Sequence, residues 1–150
     1  MTDTTATQAP AGSRLLLLAR DIKLSHSVFA LPFALLATFL AAAHAGRWPS
    51  ATALLLIVVC MVLARTVAMA VNRLADAGID AGNPRTAGRA IPSGRLDRRF
   101  VALTIAGCSV AFIAAASGFW FLFRNPWPVV LSAFVLAWLS AYSFTKRFTW

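Results

Sequence analysis

Long apolar segments alternate with short polar segments along this chain. The apolar segments lie near residues 22–45, 51–74, 100–123 and 129–144. Each is close to the roughly 20 residues that an α-helix needs to cross a bilayer. Short turns, each with a Trp, separate the first pair and the last pair, and a longer segment rich in Asp, Arg, Gly and Pro covers residues 75–99. The pattern predicts an all-α fold, a polytopic transmembrane helical bundle of about four transmembrane helices.

The ends of the apolar segments give two further expectations. Residues 1–13 are small and polar, which is typical of a disordered tail, so we assign the membrane domain to residues 14–150. Pro32 lies inside the first apolar segment. Membrane helices tolerate proline but bend there, so we expect a kink in the first helix.

Composition agrees with a membrane protein, because 59% of the residues are hydrophobic and only 13% are charged. The net charge of +9 does not indicate nucleic-acid binding, since the basic residues lie in the polar segments that flank the helices. The two short turns contain only Arg47 and Arg124. The positive-inside rule therefore places the N-terminus, the middle loop and the C-terminal flank in the cytoplasm. The basic residues on that side are Arg14, Arg20, Lys23, Arg73, Arg85, Arg89, Arg95, Arg98, Arg99, Lys146 and Arg147.

The cysteines and histidines give no sign of a metal site. Cys60 and Cys108 lie in apolar segments without a Cys or His at ligand spacing, so we interpret them as small buried hydrophobes. His26 and His44 lie near the ends of the first segment, where interfacial packing is the simplest interpretation.

Polar residues at the end of the second apolar segment form the candidate site. Asn72, Asp76 and Asp80 are four residues apart, which puts them on one face of a helix. Two carboxylates at a helix C-terminus repel each other and the helix dipole. A divalent cation resolves that conflict, and Mg²⁺ prefers oxygen ligands completed by substrate phosphates. The alternative is that the two aspartates form ion pairs with the arginines of the loop.

Three arginines add to the functional interpretation. Arg65 lies seven residues before Asn72 on the same face and inside the apolar segment, where an ionisable group is by default functional. Snorkelling to the interface is its alternative. Arg85 and Arg89 follow in the loop, and a guanidinium group suits phosphate oxygens, although ordinary positive-inside charge explains them as well.

The segment NRLADAGID from Asn72 to Asp80, followed by NPRTAGRAIPSG, resembles the first aspartate motif of the UbiA superfamily of membrane prenyltransferases. The segments ARTVAM, IKLSHSVFALPFALLA and YSFTKRFTW resemble its 4-hydroxybenzoate polyprenyltransferase branch. The resemblance covers almost all of residues 14–150.

The resemblance implies an integral protein of a bacterial-type inner membrane, with a family fold of about nine helices. It implies transfer of a polyprenyl group from a polyprenyl diphosphate to an aromatic acceptor, either 4-hydroxybenzoate-like or a naphthoate precursor of a quinone. Asp76 and Asp80 would be the catalytic residues and, with Asn72, the Mg²⁺ ligands. Substrate contacts would come from Asn72, Arg65, Arg85, Arg89, Lys146 and Arg147.

The resemblance implies that the sequence corresponds to the N-terminal half of such a protein, and that the second aspartate motif of the family lies in the other half. We therefore expect the 150-residue chain alone to be weakly active or inactive, with the C-terminal half as a partner. Two alternatives stay open. One is a non-catalytic membrane subunit that binds an anionic prenyl lipid, and the other is half of a transporter with an ion path through Arg65 and the aspartates.

Overall fold

The computed structural model describes residues 10–23 and 28–145, and these ranges contain five α-helices and no strand. The predicted all-α fold is therefore confirmed. The helices are α1 (Ala11–Asp21), α2 (Leu31–His44), α3 (Ala51–Ala81), α4 (Arg98–Phe123) and α5 (Trp127–Thr145).

Three of the described helices are long and apolar enough to cross a membrane, namely α3, α4 and α5 with 31, 26 and 19 residues. At 1.5 Å per residue, α3 is about 46 Å long and exceeds the roughly 30 Å hydrocarbon core, so part of it lies outside that core. The 14 residues of α2 make it about 21 Å long, which is shorter than that core. The chain is an integral membrane protein.

The first apolar segment differs from its prediction as a single helix over 22–45. Among the described residues of this segment the structure has one α-helix, α2, which begins at Leu31, and Pro32 is its second residue rather than a mid-helix kink. Proline is favourable in the first turn, because its missing N–H would have no partner there. The separate helix α1 begins at Ala11, inside the segment 1–13 that we assigned to a disordered tail, and residues 1–9 lie outside the described ranges.

The helix α3 is the centre of the bundle, and it packs against α2, α4 and α5. It approaches α4 closely at Gly118, where a Cβ atom would lie 3.2 Å from Leu56 Cδ2. Small residues permit such approaches between membrane helices. The outer faces of α4 and α5 stay apolar and exposed, which suits contact with lipid or other protein segments. At the turn before α3 and at the start of α5, Trp48 and Trp127 are exposed as interfacial tryptophans commonly are.

The best-buried part of the molecule is one end of this bundle. A cluster of hydrophobic side chains there joins α1, the second half of α3, the loop of residues 82–97 and the start of α4. That loop, called the 82–97 loop below, is therefore packed on a core rather than suspended in solvent. The cluster consists of Leu18, Ile22, Ala70, Ala77, Ala90, Ile91, Leu96 and Val101.

Candidate functional site

The polar stripe predicted from spacing lies on the last turns of α3. The helix continues without interruption past residue 74, where the apolar segment stops, and its C-cap is Gly82. Asn72, Asp76 and Asp80 all lie in this continuous helix. Residues four apart share a helix face, so the three side chains form one row about 12 Å long, one end of which lies close to the 82–97 loop.

Burial increases along this row towards the loop. Asn72 and Asp76 are half-buried, whereas Asp80 is buried with 7% of its surface exposed. A buried carboxylate requires a cation or several hydrogen bonds, because desolvation of an isolated charge is costly. Of the three residues in the row, Asp80 therefore depends most on nearby cations and hydrogen-bond donors.

The 82–97 loop provides the cation for Asp80. Arg89 Nη1 donates a hydrogen bond to Asp80 Oδ2 at 2.6 Å, and the two side chains form an ion pair. The buried hydroxyl of Thr86 donates to the main-chain carbonyl of Asp80 at 3.1 Å. The ion-pair alternative that we raised for the aspartates thus applies to Asp80. It also brings a guanidinium group to the end of the predicted metal-binding row.

The start of the loop is shaped by an Asx turn, in which Asn83 Oδ1 accepts a hydrogen bond from the main-chain N–H of Arg85 at 3.0 Å. Arg85 itself is exposed. Further along, the side chain of Arg95 donates to Ser93 Oγ at 3.1 Å and to the carbonyl of Gly88. Arg95 therefore supports the loop, whereas Arg85 and Arg89 belong to its part next to Asp80.

Arg65 lies two turns deeper in α3, about 10 Å along the axis from Asn72. Its Nε is buried and makes no hydrogen bond. A buried donor without an acceptor is costly, since the protein does not replace the hydrogen bond that water would provide. An anionic group at this position would supply the acceptor.

Of the other residues considered in the sequence analysis, His44 lies away from this site. His44 is the last residue of α2, at the opposite end of the bundle next to the 45–50 turn. Lys146, Arg147 and His26 lie outside the described residues.

The structure adds a polar pair that the sequence analysis did not select. Arg73 Nε donates to the main-chain carbonyl of Asp21 at 3.1 Å and lies 3.7 Å from Asp21 Oδ2. Asp21 is the last residue of α1. The sequence marks Asp21 as unusual, because it is a lone acidic residue after the leucine-rich run LLLLAR. No spacing rule connects Asp21 with Arg73, which lies 52 residues away.

The side-chain oxygens of the row would hold Mg²⁺ together with oxygen ligands from outside the row. Two carboxylates and an amide offer oxygen ligands, which is the chemistry that Mg²⁺ prefers, with phosphate oxygens completing the shell. Within the described ranges, no three or more His, Cys, Asp or Glu side chains are grouped so that they could hold a metal ion. Phosphate oxygens, water or another protein segment would complete the coordination of a metal ion at the row.

Comparisons with known proteins bear on the part of the chain that contains the row. The model of the UbiA prenyltransferase family matches residues 30–150, which include the row, Arg65 and the 82–97 loop. The chain is also 34% identical over 106 residues to the 4-hydroxybenzoate octaprenyltransferase of Serratia proteamaculans (strain 568). That alignment covers 67% of this chain and 33% of the relative, so it spans about a third of the relative's length. No solved structure matches the chain.

Proposed function

Because the chain belongs to the UbiA prenyltransferase family, we propose that it takes part in Mg²⁺-dependent transfer of a polyprenyl group from a polyprenyl diphosphate to an aromatic acceptor. The observation that carries this proposal is the row of Asn72, Asp76 and Asp80, with Arg89 held 2.6 Å from Asp80 Oδ2. Oxygen ligands and a guanidinium group side by side suit a magnesium diphosphate.

Asp76 and Asp80, together with Asn72, would hold Mg²⁺ and through it the diphosphate. Bound Mg²⁺ stabilises the negative charge that develops on a departing diphosphate. Arg89 would donate to the same phosphate oxygens, and its guanidinium group carries more donors than the contact with Asp80 uses. Arg85 is exposed nearby in the loop and would approach the diphosphate from the solvent side.

The depth of these residues suits a prenyl diphosphate. The row lies at the end of a helix that is longer than the hydrocarbon core, so the diphosphate would bind near the membrane surface. The prenyl chain is apolar and would extend towards the bilayer. The allylic cation left after diphosphate departure is protected from water where apolar side chains surround it.

Arg65 would bind an anionic group of a substrate, since its buried Nε otherwise has no acceptor. Lys146 and Arg147, outside the described residues, are proposed as further contacts to anionic groups. The aromatic acceptor is proposed to resemble 4-hydroxybenzoate, the substrate in the name of the relative from Serratia, or to be a naphthoate precursor. Either acceptor implies a role in quinone biosynthesis.

The experiment that tests the proposal compares three aspartates. In the full-length protein, Asp76→Asn and Asp80→Asn each lower Mg²⁺-dependent prenyl transfer by about 100-fold or more, since a metal ion contributes several kcal/mol to charge stabilisation. Asp97→Asn is the matched control. Asp97 begins α4 by accepting a hydrogen bond from the N–H of Arg99 at 3.1 Å, and Asn caps helices equally well. Activity that survives in both variants contradicts the proposal.

A second candidate is a membrane subunit that binds an anionic prenyl lipid without transferring it. This candidate is favoured because the described residues contain no group of three or more His, Cys, Asp or Glu side chains that could hold a metal ion. Binding of farnesyl diphosphate that depends on Asp76 and Asp80, without turnover on any aromatic acceptor, distinguishes this candidate from the enzyme.

A further inference from the structure

The pair formed by Asp21 and Arg73 connects α1 with the helix that carries the metal-binding row. Arg73 directly follows Asn72 in α3, and it is buried. Its Nε donates to the carbonyl of Asp21 at 3.1 Å. The exposed fractions of the two side chains are only 10% and 11%. This contact therefore lies inside the protein, at the level of the row.

Asp21 also contacts the 82–97 loop. Its Oδ1 accepts a hydrogen bond from the main-chain N–H of Ala90 at 3.4 Å. Ala90 directly follows Arg89, whose guanidinium group contacts Asp80. The loop is held a second time by Thr86, which donates to the carbonyl of Asp80 at 3.1 Å. The segment of the loop that carries Arg89 is thus fixed on both sides.

A carboxylate at this position is unfavourable for stability alone. Asp21 is the C-terminal residue of α1, where the helix dipole opposes negative charge. Its Oδ2 is buried without a hydrogen bond, although Arg73 Nε lies 3.7 Å away. Buried ion pairs with incomplete hydrogen bonding are commonly no better than apolar residues of similar volume. A role in fixing geometry accounts for the pair where a role in stability does not.

We propose that Asp21 and Arg73 are positioning residues, which hold the 82–97 loop on α3 so that the guanidinium group of Arg89 meets the diphosphate at Asp80. This inference rests on the function proposed above. The two residues do not touch the substrate. They fix the position of the loop relative to the row, and part of the affinity for the diphosphate depends on that position.

The test replaces the pair by apolar residues of similar volume, as Asp21→Leu with Arg73→Met, in the full-length protein in lipid nanodiscs. The single change Asp21→Ala leaves a buried guanidinium group without its partner and risks misfolding, so the double variant is the decisive one. Because the double variant also removes the acceptor of the Ala90 N–H, we expect only a small fall in its unfolding temperature, offset by the removal of two buried charges. We also expect its KM for farnesyl diphosphate to rise about 10-fold, with the KM for the aromatic acceptor unchanged.

Hydrogen exchange provides the second measurement. The amides of residues 86–96 exchange at least 10-fold faster in the double variant, while those of α4 keep their protection. Arg20→Met is the control, because Arg20 precedes Asp21 but is exposed, and it changes neither KM nor exchange.

Two outcomes overturn the positioning role while leaving the proposed function intact. One is a double variant with the wild-type KM for farnesyl diphosphate, and the other is loop exchange at the wild-type rate. A wild-type protein that neither binds farnesyl diphosphate nor transfers its prenyl group overturns the proposed function itself, and the positioning role falls with it. The wild-type binding measurement therefore separates the two failures.

Discussion

Acidic residues are scarce in this chain, since five aspartates stand against 14 lysines and arginines. Four of the five lie in the described ranges, and each has a defined place. Asp97 begins α4, while Asp21, Asp76 and Asp80 gather around the last turns of α3 and the 82–97 loop. Negative charge is therefore concentrated where the basic loop folds back on the bundle. That arrangement suits binding of a cation together with an anion.

Arg65 gives a prediction at the residue scale, because its two possible roles have opposite effects. We expect Arg65→Met to leave the unfolding temperature unchanged or to raise it, since a charge within a membrane helix costs about 2.5–3.5 kcal/mol on insertion scales. Prenyl transfer falls about 10- to 100-fold, as expected for losing one hydrogen bond to a charged group, worth ~1.5–3 kcal/mol. Thermal unfolding and steady-state rates measure the two effects.

The adjacent residue offers the control. Thr66 is also polar and in the same turn, but its hydroxyl donates to the carbonyl of Val62 at 2.7 Å. Thr66→Val should leave the rate of prenyl transfer unchanged. If Arg65→Met keeps full activity, Arg65 has no role in substrate binding. If it lowers the unfolding temperature, Arg65 stabilises the bundle through a structural contact.

For the helices, prediction from the sequence succeeded where residue spacing within one helix was sufficient. The four-residue spacing of Asn72, Asp76 and Asp80 was enough to place them on one helix face, and α3 contains all three. The end of that helix could not be read from hydropathy, because its last turns are polar and are kept helical by packing of the 82–97 loop. The boundary drawn at residue 74 therefore marked the end of the apolar segment rather than the end of the helix.

The first helix shows the opposite case. Hydropathy predicted one helix over 22–45, whereas α1 and α2 are separate and α2 begins at Leu31. The role of Asp21 could not be predicted either, because its partners Arg73 and Ala90 are 52 and 69 residues away in sequence. Contacts of this kind depend on how α1 packs against α3 and the 82–97 loop. The hydrophobic pattern of a single segment does not predict that packing.

The docking of α1 gives a prediction at the element scale. Leu18 is 2% exposed in the core cluster, whereas Leu16 on the same helix is 54% exposed. We expect Leu18→Ala to destabilise the protein by about 2–5 kcal/mol through the cavity it leaves. Leu16→Ala is the matched control, with an effect within ~0.5 kcal/mol. Denaturant unfolding in detergent gives both values.

Leu18→Ala should also release the end of α1, so the amide of Ala90 exchanges faster than in the Leu16→Ala protein. Equal unfolding free energies for the two variants would show that α1 is not docked on the core. In that case the contact between Asp21 and Arg73 would lose its structural basis as well.

The path of the whole chain through the bundle bears on its topology. The end of α1 contacts the 82–97 loop at the C-terminal end of α3, whereas α2 ends next to the 45–50 turn at the other end of α3. The C-terminal end of α1 and the C-terminal end of α2 therefore lie at opposite ends of the bundle, and α2 itself is about 21 Å long. Three described helices, α3, α4 and α5, are candidate crossings, and we expect the segment that contains α2 to form a fourth.

The distribution of Lys and Arg predicts which side of the membrane each loop faces, and this gives the last prediction. By the positive-inside rule we expect the 82–97 loop in the cytoplasm, and α1 on the same side because it contacts the loop. Single cysteines test this in a background without Cys60 and Cys108. Gly12→Cys and Gly88→Cys have open space around them, and Trp48→Cys replaces a side chain that is 86% exposed in the opposite turn.

A membrane-impermeant maleimide should label Gly12→Cys and Gly88→Cys only in inverted vesicles, and Trp48→Cys only in intact spheroplasts. Labelling of Gly12→Cys and Gly88→Cys from opposite sides would mean that the segment containing α2 does not cross the bilayer. If all three patterns are reversed, the crossings stand but the positive-inside assignment is wrong. In the expected arrangement the row of Asn72, Asp76 and Asp80 faces the cytoplasm, where Mg²⁺ and a soluble aromatic acceptor reach it directly.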